Sequence, residues 1–477
     1  MSDVNYLTTI GLEVHVQLKT KTKIFCGCSV DSEAEPNTNV CPICLGYPGA
    51  LPALNETVVK YGIMTGLMIG SKINLYSKFD RKSYFYPDMS KNFQTTQFDL
   101  PICEGGSVDI ELEDGTKKTI GITRIHLEEN AAKNFHLAKM SGVDFNRAGT
   151  PLIEVVTEPD IESPEEAYAF LQAIRQIVIY TGVSDCNLEL GQLRCDVNSS
   201  VRPEGQKELG ERTEMKNLNS FKNIYNALKY EIERQKDVLR SGGTVYQETR
   251  RWDPDTCVTT VMRTKEDAHD YRYLPEPDLM PMVFDEEYLE QLKKELPEMP
   301  AKRRERFEKE FSIPAYDAGV LVAEKAIADY FESTAKMSEN PKLVSNLMMT
   351  EMLRILSEEE KDISEIKITP EALAKLSNLV NAKTINSNTA KKVFEILFEE
   401  GGIPESIVEK NGWAQVSDTG AIEKFVDEAI ATNPKSVSDF KDGKVAAVKF
   451  LVGQVMRFSK GKANPQLAEK LLLKKLK

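Results

Sequence analysis

Four cysteines lie within nineteen residues as Cys26-Gly27-Cys28 and Cys41-Pro42-Ile43-Cys44, two close pairs separated by twelve residues. Thiolates in two such pairs joined by a short loop suit tetrahedral Zn²⁺, and Gly27, Pro42 and Gly46 let the backbone turn back on the ion. No fifth donor nearby marks an open coordination position, so the expected role is structural. Four reduced, buried cysteines are the alternative. Cys103, Cys186, Cys195 and Cys257 are scattered singly, and a disulfide scaffold does not suit so long a chain.

A second constellation is acidic. In Glu13-Val14-His15 the two-residue period of a strand turns Glu13 and His15 to one face. His126-Leu127-Glu128-Glu129 ends another alternating segment, Glu154 follows the apolar lead-in Thr150-Pro151-Leu152-Ile153, and Glu189 and Asp196 flank Gly191-Gln192-Leu193-Arg194. Mg²⁺ takes oxygen ligands, often one or two carboxylates plus substrate phosphates. Taken singly, each carboxylate reads as a solvated or salt-bridged surface group, and composition does not assemble them.

A third set is basic and aromatic: Lys78 to Asp88 (KFDRKSYFYPD), then Lys91-Asn92, with polar loops at Arg147-Ala148-Gly149-Thr150 and Arg212 to Asn217. Arg and Lys clamp phosphates and Tyr stacks on bases, although a polar loop over an aromatic core has the same pattern. There is no G-x-x-x-x-G-K-[ST], no G-x-G-x-x-G and no G-x-S-x-G, which excludes the common nucleotide cradles and the nucleophile elbow. His136 and His269 are isolated, as satisfied structural histidines are.

The elements that must position these groups follow from periodicity. Residues 1–293 read as mixed α and β, with strand-like alternation in TTIGLEVHVQL and KKTIGITRIHL. Ser163-Pro164-Glu165-Glu166 predicts a capping box opening a helix whose apolar face is Ala167, Phe170, Leu171, Ile174 and Val178. A second helix runs through FKNIYNALKYEIERQKDVL and stops at Ser241-Gly242-Gly243. Beyond residue 293 the pattern is helical throughout, broken at Gly401-Gly402-Ile403-Pro404. The expectation is an α+β protein: residues 1–293 as one mixed domain, 294–405 as a helical domain and 406–477 as a small helical tail.

Charge and composition bound the function. The 477 residues carry 61 Lys+Arg against 74 Asp+Glu, a net charge of −13, which disfavours non-specific nucleic-acid binding. The last 22 residues nevertheless hold Arg457 and six lysines against Glu469, so an RNA partner is expected there first. With 41% hydrophobic and 28% charged residues the chain is of ordinary globular composition. No apolar run approaches the roughly 20 residues needed to span a bilayer, and no basic segment leads an apolar one at the N-terminus, so a cytoplasmic location is expected.

IGLEVHVQL (residues 10–18), SKFDRKSYFYPDM (77–89), RIHLEENAAK (124–133), NRAGTPLIEVVTEPD (146–160), LRCDVNSSVR (193–202), MKNLNSFK (215–222), QETRRWD (247–253) and DYRYLPEPDL (270–279) together resemble the GatB family, the B subunits of bacterial glutamyl-/aspartyl-tRNA amidotransferases. SKGKANPQL (459–467) is similar to that family's tail domain, shared with YqeY-like proteins. The resemblance spans nearly the whole chain in order. It implies a cradle-shaped kinase/transamidase domain with a zinc-binding insert and a tRNA-binding tail. It further implies ATP-dependent phosphorylation of the side-chain carboxylate of Glu-tRNA(Gln) or Asp-tRNA(Asn). Amidation follows, by ammonia released from glutamine on a separate amidase (glutaminase) subunit, with a small third subunit completing a heterotrimer.

Carried over by motif, Glu13, His15, Glu128, Glu154, Glu189 and Asp196 are the expected Mg²⁺ set, the first four also catalytic. Arg194, Lys216 and Asn217 are expected at phosphate or substrate, and Tyr84, Tyr86, Asp88 and Lys91 beside the cavity. The family's Glu-Glu-Gly-Ser stands here as Glu189-Leu190-Gly191-Gln192, without the second carboxylate, and Asn130 replaces a common Asp. No amidase Ser-Ser-Lys signature is present, so the chain is expected to need the amidase subunit for ammonia. The competing class is a non-catalytic, zinc-containing tRNA-binding scaffold.

Overall fold

The computed structural model describes residues 4–31, 33–136, 139–264, 271–414, 419–441, 444, 446–459 and 463–476. His269 and the tail lysines Lys460, Lys462 and Lys477 lie outside them, and of His136 only the backbone is described. The chain divides into two compact units, Met1–Met299 and Pro300–Lys477.

The first unit contains β1 (Tyr6–Gln17), α1 (Glu56–Met68), β2 (Asp80–Ser83), β3 (Phe93–Thr96), β4 (Lys117–Glu129), β5 (Pro151–Thr157), α2 (Pro164–Thr181), β6 (Leu193–Pro203), β7 (Thr213–Lys216), α3 (Phe221–Arg240), β8 (Glu248–Asp253), β9 (Val258–Thr264) and α4 (Glu286–Glu295), with shorter strands between. A ten-stranded sheet runs β9-β8-β7-β6-β1-β5-β4 and continues through Cys103–Glu104 to Lys72–Ile73, while Ser107–Glu111 pairs with β4. All pairings are antiparallel except β7 with β8.

An antiparallel sheet can be dry on one face and polar on the other, and this one is. Leu12, Val14, Val16, Ile125, Leu127, Ile153, Val155, Cys195 and Val197 share a core with Ile63 of α1, Phe170 and Ile174 of α2, and Ile224 and Leu228 of α3. Each such side chain, fully buried, contributes roughly 1.5–3 kcal/mol. Close packing leaves no room at Gly62, where an added Cβ would lie 2.8 Å from Leu127 Cδ2.

The two predicted helices form as expected, and all five residues of the predicted α2 face are completely buried. Ser163 Oγ accepts from the Glu166 N–H at 3.2 Å. The other half of the predicted capping box is absent: the Glu166 carboxylate accepts from the Glu162 N–H at 2.8 Å and binds Lys118 at 2.9 Å. A nearby ammonium draws the carboxylate away from the Ser163 amide. Helix α4 adds Leu289 and Leu292 to the core of the first unit.

The second unit is helical. One core gathers Phe307, Phe331, Met348, Leu373 and Phe394, and another gathers Ile422, Leu451, Val455, Leu471 and Leu472. No helix among the described residues is long and apolar enough to cross a membrane.

Candidate functional site

The polar face of the sheet brings the acidic residues together through register. His15 stands opposite Glu154 on one side and Arg194 on the other, Glu154 stands opposite His126, and Glu13 stands opposite Asp196. Residues paired directly across strands point to the same face, so four strands present one polar surface. On it, His15, Glu128 and Glu154 each offer a ligand atom within 4.8 Å of the others. His15 Nδ1 lies 3.0 Å from Glu128 Oε1 and 3.7 Å from Glu154 Oε2. Adjacent ligands on an octahedral ion at about 2.1 Å are separated by about 3 Å, so this carboxylate–imidazole group fits a small divalent cation.

Electrostatics agree with a demand for positive charge. Burial alone would lower the His15 pKa, but Glu154, Glu128 and Asp196 raise it to about 9. Burial opposes ionisation of Glu154, yet His126, His15 and Lys82 hold its carboxyl well below the usual range. Burial, then Glu154 and Asp196, push the Glu13 carboxyl up. Asn198 Nδ2 donates to Glu13 Oε1 at 3.0 Å.

The expected set of six therefore resolves into a group of three with two neighbours and one outlier. Glu13 and Asp196 share the face but flank the group, and Asp196 accepts from Lys216 Nζ at 2.7 Å. Glu189 lies apart. It is exposed in a turn where its own N–H donates to Asn187 Oδ1 at 2.9 Å, and the turn ends the alternation that governs β6.

The cationic and aromatic residues are also placed. Arg194 donates to Asn130 Oδ1 at 2.9 Å, and Lys216 also reaches Glu214 at 3.1 Å. The Asn217 amide is committed to the Trp252 carbonyl at 2.9 Å, with the backbone of Asn217 left-handed at φ 67°. Tyr84, Tyr86, Asp88 and Lys91 lie on the loop joining β2 to β3. Tyr84 and Tyr86 have ring centroids 6.0 Å apart, and Tyr86 is half exposed. Burial raises the Asp88 pKa, and its Oδ1 has no hydrogen-bond partner among the described residues. Lys91 binds Glu129 and donates to Thr95 Oγ1 at 3.0 Å. Gln94 fastens this hairpin to the acidic group by donating to Glu128 Oε2 at 3.1 Å.

Three neighbours lie outside the expected set of site residues. His126 Nε2 is 3.3 Å from Glu154 Oε2, and its buried Nδ1 has no hydrogen-bond partner among the described residues. Its position two residues before Glu128 is a usable signal. Gln94 and Lys82 come from a hairpin distant in sequence; Lys82 belongs to the basic and aromatic stretch, but no local pattern places either residue beside the acidic group. Lys82 Nζ stacks over the Tyr271 ring at 4.7 Å.

The cysteines converge separately. Cys26, Cys28, Cys41 and Cys44 place their sulfurs within 4.8 Å of one another, and Cys41 Sγ and Cys44 Sγ are 3.9 Å apart. A tetrahedral Zn–S length of about 2.3 Å puts sulfurs about 3.8 Å apart, so the donor set fits zinc. Contact with Cys26 holds the Cys44 thiol below its usual range against burial, while the same contact and burial push Cys26 up. Burial raises Cys28 to about 11.

A sheet domain with a carboxylate–histidine group on its polar face and a four-cysteine knuckle, followed by a helical unit, matches known domains. Residues 8–290 match the family model of the GatB/GatE catalytic domain, and residues 329–476 match the GatB domain. Curated B subunits of aspartyl/glutamyl-tRNA(Asn/Gln) amidotransferases are similar over their full length. That of Caldicellulosiruptor saccharolyticus is 54% identical over 478 residues, covering 99% of both chains. That of Carboxydothermus hydrogenoformans is 51% identical over 476 residues, also 99% of both. The chain belongs to the GatB family.

Proposed function

We infer that this chain is the component of a tRNA-dependent amidotransferase that activates and amidates a mischarged aminoacyl-tRNA. A carboxylate is a poor electrophile because its leaving group would be oxide. An oxygen of the glutamyl or aspartyl side chain of Glu-tRNA(Gln) or Asp-tRNA(Asn) attacks the γ-phosphorus of ATP, and ADP leaves. Ammonia then attacks the resulting acyl phosphate, inorganic phosphate leaves, and the product is Gln-tRNA(Gln) or Asn-tRNA(Asn).

With a bound cation taking the place of the His15 proton, neutral His15, Glu128 and Glu154 would hold Mg²⁺, whose charge would offset that on phosphate oxygens during transfer. Glu13 stands beside this group on the same face, opposite Asp196, and would accept the proton that ammonia must lose after attack. Arg194 and Lys216 supply positive charge at the flank of the same face, and the Tyr84–Lys91 loop borders it. Zinc on Cys26, Cys28, Cys41 and Cys44 is structural. Ammonia comes from glutamine through a separate amidase subunit, with a small third subunit completing the complex in the cytoplasm, and the basic tail contacts tRNA.

The observation that carries this reading is the convergence of His15, Glu128 and Glu154 on one sheet face in a chain 54% identical to a named amidotransferase B subunit. The test is transamidation by the reconstituted three-subunit complex on both mischarged tRNAs, with and without ATP and Mg²⁺. Product is expected only with both, and none from the isolated chain supplied with glutamine. Unimpaired ATP-dependent transamidation by Glu154→Gln would favour the scaffold reading instead.

A further inference from the structure

Lys23 is completely buried, and it is a cation. Its backbone N–H donates to Cys28 O at 2.9 Å, closing the first cysteine turn. Its stem passes Gly149, where an added Cβ would lie 3.5 Å from Lys23 Cδ. Its Nζ donates to Asn39 O at 2.8 Å and to Phe145 O at 3.1 Å, and stands 3.6 Å from Cys44 Sγ. Among the described residues no carboxylate forms an ion pair with it. An ammonium removed from water costs several kcal/mol unless an anion compensates it, and two neutral carbonyls carry no net charge. Four thiolates on a divalent ion carry two negative charges in excess, directly against this group.

We propose that Lys23 is the counter-ion and positioning residue of the four-cysteine metal centre, donating an N–H···S hydrogen bond to Cys44 that strengthens metal retention. The proposal rests on the zinc reading above. The same ammonium ties the Cys41–Cys44 turn to the segment at Phe145, two residues from Arg147, whose guanidinium holds the carbonyls of Ala131 and Ala132 at 2.9 and 2.8 Å. The alternative is that Lys23 only staples loops through the two carbonyls.

The test compares the wild-type complex with Lys23→Met, Lys23→Gln and Asn146→Ala. Asn146 is the control, because it fastens the same loops without touching sulfur: its Oδ1 accepts from the Asn39 N–H at 2.8 Å and its Nδ2 donates to Glu35 O at 2.8 Å. Zinc transfer to a competing chelator is measured, and in cobalt-substituted protein the sulfur-to-metal charge-transfer band. Lys23→Met should weaken metal affinity about 10- to 100-fold and move the band to longer wavelength, since a thiolate without its hydrogen bond holds its electrons less tightly. Lys23→Gln, which keeps donors but no charge, should weaken retention in the same direction should the Met variant not fold. Asn146→Ala should leave the band in place. Wild-type retention and band in both Lys23 variants would overturn the proposal, as would the same band shift in Asn146→Ala. If the wild type takes up neither zinc nor cobalt at its cysteines, the metal reading itself fails.

Discussion

The two candidate metal centres of the first unit are assembled in opposite ways. The cysteines are neighbours in sequence and need little more than two turns and a short loop to meet. His15, Glu128 and Glu154 come from three strands and meet only because β1, β5 and β4 pair in one register. A slip of one residue in β1 would put Val14 and Val16 on the polar face and bury His15 in the core. The first centre is thus a local device, whereas the second is a property of the whole sheet and of the dry face that fixes it.

The largest effect is expected from removing one charge of the non-local centre. Glu154→Gln should lower ATP-dependent transamidation by about 10³-fold, measured as product formed by the reconstituted complex with tRNA binding retained. Next comes the support beneath that centre. Leu127 is buried between Glu128 and His126 on the opposite face, and Leu127→Ala should cost about 2–5 kcal/mol in urea unfolding. The contrast between the centres is broken if this variant, still folded, releases zinc as readily as it loses transamidation. Conversely, Cys41→Ser should abolish stoichiometric zinc while leaving the far-UV circular dichroism of the sheet in place. Collapse of the sheet signal would mean that the knuckle is not a local device.

The smallest effect extends the comparison to the helical unit, which uses a mixture of both designs. Glu332 accepts from Arg303 at 2.8 Å, from Arg306 at 2.9 and 3.0 Å, and from its own-helix neighbour Lys336 at 2.7 Å. Burial opposes its ionisation, but these three cations lower its pKa to about 2. A carboxyl whose folded pKa is depressed stabilises the fold above its unfolded value near 4.5, and that contribution fades as pH falls toward about 2. Glu332→Gln should cost about 1–3 kcal/mol at pH 7. The difference from wild type should shrink across that acid window, as read from urea unfolding at each pH.

Much of this organisation is legible in the residues. Alternation in TTIGLEVHVQL and KKTIGITRIHL marks two central strands, and the apolar spacing after Ser163 marks α2 together with its buried face. The expected capping box forms only by half, because Lys118 competes for the Glu166 carboxylate from a strand 48 residues away in sequence. Motif alone groups Glu189 with the acidic set, yet a turn closed by Asn187 leaves it in solvent. The spacing of His126 from Glu128 announces a shared face, whereas Lys82 and Gln94 give no local sign of their place.

Spacing along the chain was enough to specify the paired cysteines, strands β1 and β4, helices α2 and α3, and which residues within those strands would face alike, since these depend on covalent reach and backbone period. Which faces would meet, which carboxylates would crowd His15, and where the fully buried Lys23 would find sulfur were settled only in three dimensions. Those contacts join residues far apart in sequence: His15 and Glu154 are 139 positions apart, and Glu13 and Asn198 are 185. Their energies depend on burial and pairing that no single segment carries.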